Sequence, residues 1–116
     1  MTSAEFKMIK YTNYIEINKL IMENQMVIVY FTGMKCGACE AIKLKVEELL
    51  KAYPKIKSCE INGEESIDIA AKYDVFSLPV LILFIEGKES IRVGKNVDLL
   101  SLEKDIDRYY NLINSN

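Results

Sequence analysis

Short, wholly apolar runs alternate along the chain with amphipathic stretches, and the period of each stretch predicts its structure. Met26-Val27-Ile28-Val29-Tyr30-Phe31 and Val80-Leu81-Ile82-Leu83-Phe84-Ile85 are β-rich runs without a polar break, as expected of strands covered on both faces. Helical spacing governs three other stretches. Ile17, Leu20 and Ile21 predict a helix over residues 12–24. Ile42, Val46, Leu49 and Leu50 predict one over residues 37–52, with Lys43, Lys45, Glu47, Glu48 and Lys51 mostly off the apolar face. Leu99, Leu102, Ile106, Tyr109 or Tyr110, and Ile113 predict a last one.

Boundary signals agree with these periods. Asn13 followed by Glu16 has the form of a capping box, with Asn in place of Ser or Thr. Pro54 closes the second helix, and Asp98 caps the last. Smaller pieces fill the gaps. Residues 6–10 alternate as a short strand with Phe6 and Met8 on one side, and residues 55–62 read as a strand ending in the Asn62-Gly63 turn. A short helix starts near Ser66 and ends near Tyr73, and Glu86-Gly87-Lys88 turns the chain into a partner strand over 89–93. The resulting order, β-α-β-α-β-α-β-β-α, has no linker, repeat or low-complexity segment. It predicts an α/β fold in three layers, a central mixed sheet between helices, as one domain over residues 1–116.

Composition narrows the function more than the fold. With 116 residues, 50% of them hydrophobic and 28% charged, the chain has the size and core of a single globular domain. Lys and Arg number 15 against 17 Asp and Glu, a net charge of −2 with the signs mixed, which argues against nucleic acid as a partner. The longest apolar runs are far short of the ~20 residues of a membrane span, and the charged N-terminus lacks the apolar core of a secretory signal, so a cytoplasmic location is expected.

There is no histidine. Ser-His and Cys-His nucleophile pairs, His-ligated metals and an imidazole base are thereby excluded. Chemistry falls to the three cysteines, the carboxylates, Lys or Tyr. Cys36 and Cys39 stand three apart where a buried strand meets an amphipathic helix, a spacing that puts both sulfurs on one side of the first helical turn. Free N–H groups and the positive end of the helix dipole favour a thiolate at Cys36, the expected nucleophile. Cys39, deeper along the helix, suits the resolving thiol. Lys35 adds to the thiolate preference and Glu40 opposes it. A zinc half-site is the rival reading, but it needs four ligands and finds only Cys59 beyond the pair, so no metal is expected. Cys59, inside a predicted strand, reads as a small core side chain, with a regulatory thiol as the alternative.

Taken together, the strand over 27–31, Cys36-Gly37-Ala38-Cys39, Ser77-Leu78-Pro79 before a second buried strand, the Gly87 hairpin and Gly94 resemble the thioredoxin family over residues 15–113. The resemblance implies a cis Pro79 beside the disulfide, a Leu78 backbone that pairs with an extended substrate segment, and Gly94 facing the same groove. Several positions depart from the family. Lys35 stands where Trp is usual, and Gly37-Ala38 replaces Gly-Pro. The family's buried Asp aligns with Tyr30, and its Lys partner with Ser58, so both members of a buried pair are missing together. Cys39 would then be deprotonated through water or another group, or turnover would be slow. Tyr30 itself reads as packing, or alternatively as a hydrogen-bonding group near the cysteines.

The function this implies is a thiol–disulfide oxidoreductase that reduces disulfides in other proteins through Cys36 and Cys39. It would act as a monomer, need no bound cofactor, and be recycled by a thioredoxin reductase. A glutaredoxin-like or partner-specific redox protein, and a peptide-binding module with little turnover, are the alternatives.

Overall fold

The computed structural model describes residues 6–115. The elements run β1 (Ile9–Lys10), α1 (Tyr14–Glu23), β2 (Met26–Thr32), α2 (Cys39–Leu50), β3 (Lys57–Asn62), α3 (Ile67–Lys72), β4 (Val80–Ile85), β5 (Lys88–Val93) and α4 (Leu99–Asn114), in the expected order. The five strands form one sheet, ordered β1-β3-β2-β4-β5. β1 and β2 are parallel to β3, while β4 is antiparallel to both β2 and β5. The mixed sheet follows from the connections. The α1 and α2 crossovers return the chain parallel, the α3 connection brings β4 back antiparallel to β2, and the two-residue turn reverses it again into β5.

Strand alternation explains why β2 and β4 carry no polar residue until Thr32. Val27, Val29 and Phe31, with Ile82 and Phe84, pack on Ile17 and Ile21 of α1 and Ile69 of α3. Ile28 and Tyr30, with Leu81 and Leu83, pack on Val46 and Leu50 of α2 and Leu102 and Ile106 of α4. Each face is buried by a different helix pair, giving the three layers.

Caps and turns follow the local signals. The Asn13 side chain accepts the Glu16 N–H, and that of Asp98 accepts the N–H groups of Leu100 and Ser101. Ile85 pairs with Lys88 across a two-residue loop in which both Glu86 (φ 53°) and Gly87 (φ 80°) are left-handed, the turn geometry that matches strand twist.

Differences lie at element ends. β1 is only two residues, because Met8 leaves the strand: its side chain is buried with the α2–α4 core, and its N–H donates to Glu47 Oε2 at 2.8 Å. Glu47, expected on the solvated face of α2, is therefore buried with a partner. α2 stops at Leu50 because the N–H groups of Lys51, Ala52 and Tyr53 each bond three residues back, tightening the last turn. That turn continues through the Ile56 N–H bond to the Tyr53 carbonyl, which delays β3 to Lys57.

Candidate redox site

Cys36 and Cys39 form a disulfide, with Sγ atoms 2.01 Å and Cα atoms 5.4 Å apart. They do not share a helical turn as the spacing suggested. α2 begins at Cys39, and Ala38 at its N-cap offers no side-chain acceptor, so the preceding residues form a separate turn closed by the Cys39 N–H and the Cys36 carbonyl at 3.3 Å. Cys36 is half-buried on the chain leading into the helix, whereas Cys39 is 1% exposed. Gly37 is open, with nothing within 4 Å of where a Cβ would sit, and Ala38 is half-buried. Lys35 and Glu40 are both exposed on either side.

Tyr30 lies directly behind the pair. It is fully buried in the core under α2, and its hydroxyl donates to the Cys39 carbonyl at 2.7 Å, so packing and hydrogen bonding coincide in one side chain. Burial, with Glu60 and then Glu40 adding negative charge nearby, pushes its phenol well above the usual range. Tyr30 is thus a donor, not a proton acceptor, at neutral pH.

The β2–β3 register pairs Ser58 with Ile28 and places Glu60, and not Ser58, beside Tyr30. This carboxylate is not left unpaired: Lys43, one turn into α2 from Cys39, reaches it at 3.1 Å, with side chains 23% (Lys43) and 15% (Glu60) exposed. Burial pulls the Lys43 ammonium down, but its bond to Glu60 and the charges of Glu60, Glu47 and Glu40 outweigh this, and the net direction is up. Cys36, Glu40 and Glu60 open together on a cleft of about 300 Å³ that Lys10, Asn62 and Glu65 also line.

Leu78, Pro79 and Gly94 come together in a separate groove of about 610 Å³ that Lys95, Asn96 and Asp98 also line. The Leu78–Pro79 peptide is cis. Pairing of Val80 with Phe31 sets Pro79 at the end of the sheet from which Cys36 emerges. A Cβ on Gly94 would meet the Pro79 carbonyl at 3.6 Å, an ordinary contact, so its glycine keeps the groove wide without being sterically required.

Cys59 sits on the opposite face of the sheet from α2, fully buried beneath α1 and α3. Burial pushes its thiol up to about 12, which suppresses the thiolate at neutral pH. Among the described residues no group of three or more acids or cysteines is placed to hold a metal ion, and no helix is long and apolar enough to cross a membrane.

Two groups near the cysteines carry no local sequence signal, Glu60 and Glu64. Glu64, on the loop after β3, accepts the N–H of Met34 at 2.8 Å and that of Lys35 at 3.2 Å. Both are ordinary surface acids by pattern, and only the tertiary fold brings them to the site.

Comparison with known proteins gives this arrangement its family. The Thioredoxin family model matches residues 7–108. The thioredoxin-like protein YdfQ of Bacillus subtilis is 31% identical over 98 residues, covering 84% of this chain and 88% of its own. Mitochondrial thioredoxin-3 of Saccharomyces cerevisiae is 31% identical over 99 residues, covering 84% and 76%. The crystal structure of that yeast protein in its oxidised form superposes with a TM-score of 0.78 at 29% identity, over 87% of this chain and 94% of the other. Since the matched span contains the five-stranded sheet, the cysteine pair and Pro79, the chain belongs to the thioredoxin family and is a thiol–disulfide oxidoreductase.

Proposed function

We propose that Cys36 is the attacking and Cys39 the resolving thiol in the reduction of disulfides in other proteins. The observation that carries this assignment is the difference in exposure, Cys36 half-buried at an open cleft and Cys39 1% exposed. A substrate sulfur can approach only the first. The Cys36 thiolate attacks one substrate sulfur, forming a mixed disulfide and expelling the other sulfur as a thiolate, which takes up a proton. Cys39 loses its proton and attacks Cys36 Sγ, releasing the second substrate thiolate and leaving the Cys36–Cys39 disulfide. Two electrons pass to the substrate.

The substrate segment lies extended along the Leu78 backbone in the groove of Pro79 and Gly94, as family resemblance implies. Lys35, Gly37, Ala38 and Tyr30 frame the pair. The protein works as a single-domain monomer in the cytoplasm, and a thioredoxin reductase returns it to the dithiol. Insulin reduction by wild type, Cys36→Ser and Cys39→Ser tests the assignment. Cys36→Ser abolishes turnover, and Cys39→Ser accumulates a mixed disulfide on Cys36. Turnover surviving in both variants overturns it, and recycling by glutathione in place of the reductase would make the protein glutaredoxin-like.

A further inference from the structure

The turn that delivers Cys36 has no regular structure of its own, yet one external side chain grips it twice. Gly33, Met34 and Lys35 lie between the end of β2 and the cysteine, and both carboxylate oxygens of Glu64 are engaged there, Oε1 by Met34 N–H and Oε2 by Lys35 N–H. The gripping loop is itself held. Asn62, a buried polar side chain, accepts the N–H groups of Glu64 and Glu65, and the Gly63 N–H donates to the Thr32 carbonyl at 2.8 Å. Gly33 completes the fit, since a Cβ there would lie 2.6 Å from the Glu64 carboxyl carbon. The turn and the acid are built around each other.

We propose that Glu64 is a positioning residue of the redox site, holding the turn that presents Cys36 and placing its carboxylate on the peptide N–H of the residue before the attacking cysteine. This rests on the reading of Cys36 as the attacking thiol. Bonds from backbone N–H groups to a carboxylate are charge-assisted and directional, so two of them fix the orientation of consecutive peptide units. Because Glu64 is exposed, the bonds add little to global stability. Their effect falls on geometry, where a small displacement of a reacting atom is costly. The charge acts separately by disfavouring a thiolate at Cys36. Lys10, Glu40, Glu60 and Glu65 line the cleft on which Cys36 opens and Lys35 precedes it in the chain, so the Glu64 contribution is read as a difference between variants.

The test has two arms on the reduced full chain. In the first, the pH dependence of iodoacetamide alkylation, located on Cys36 by mass, is compared for wild type and Glu64→Gln. The variant's profile moves down by about one pH unit, the scale of one nearby charge. In the second, kcat/KM for insulin falls roughly tenfold in Glu64→Ala and in Gly33→Ala, which displaces the carboxylate without removing it. Glu64→Gln keeps one acceptor and recovers most of that loss, and the double variant Gly33→Ala/Glu64→Ala is no worse than either single change. Melting temperatures of all four stay within a few degrees. Superimposable alkylation profiles, or losses that multiply in the double variant, overturn the proposal. If wild type failed to reduce insulin, the reading of protein-disulfide reduction would fall, while the alkylation arm would still decide the role of Glu64.

Discussion

Replacing Tyr30 by Phe isolates one atom at the centre of the molecule. The ring is fully buried between β2 and α2, and its hydroxyl donates a hydrogen bond of 2.7 Å to the Cys39 carbonyl. Phe preserves the ring and removes only that donor. The carbonyl left behind is not orphaned, because in an α-helix starting at Cys39 it also faces the N–H four residues on. The cost therefore sits in the ordinary range for one net hydrogen bond, about 1 kcal/mol, without the full penalty of a buried unsatisfied group. For a chain of this size that lowers the melting temperature by roughly 3–6 °C. Tyr30→Ala also removes the ring and leaves a cavity, costing about 3–5 kcal/mol. Paired urea titrations of the oxidised protein at neutral pH measure both. A Tyr30→Phe variant as stable as wild type would show that the hydroxyl does not anchor the start of α2 and that Tyr30 acts through packing alone.

Two further outcomes follow from other contacts. Lys43 has a folded pKa raised above its ordinary 10.5, so the stability from its pair with Glu60 is complete below pH ~10 and is lost as pH rises through the folded value. Glu60→Gln costs roughly 1 kcal/mol at pH 7, and the difference from wild type in chemical denaturation shrinks at strongly alkaline pH; a difference that grows there would contradict the pairing. Gly87→Ala places a side chain at φ 80° with Met22 Sδ 3.1 Å from the new Cβ, and destabilises the hairpin by about 1–2 kcal/mol in thermal melts. An unchanged melting temperature would mean that the turn relaxes without strain.

Features encoded by local period were legible in the sequence. β2 and β4 announce themselves because both faces are covered, and Asn13, Asp98 and Glu86-Gly87 mark their own boundaries through side-chain caps and a turn that demands positive φ. The cysteine pair needed only its spacing and its place after a strand. Illegible were the contacts that depend on where distant segments land. Met8 and Glu47 are 39 positions apart, and Glu64 is 30 from Met34. No window of sequence joins them.

The neighbour of Tyr30 shows where local reasoning stops. Ser58 and Glu60 lie on the same face of β3, since side chains repeat every second residue. Period alone therefore fixes the face but leaves the parallel register free to slide by two. The observed register pairs Tyr30 with Glu60, and that slide replaces a small hydroxyl with a carboxylate. The wall behind Cys39 is consequently not emptied of charge by the loss of the family's Asp. An acid remains one strand over, and its counter-ion comes from Lys43 on α2 instead of from the sheet. Tyr30 keeps its proton and donates a hydrogen bond to the Cys39 carbonyl, so the charge behind the cysteines resides in the Glu60–Lys43 pair on the neighbouring strand and helix, not in the tyrosine.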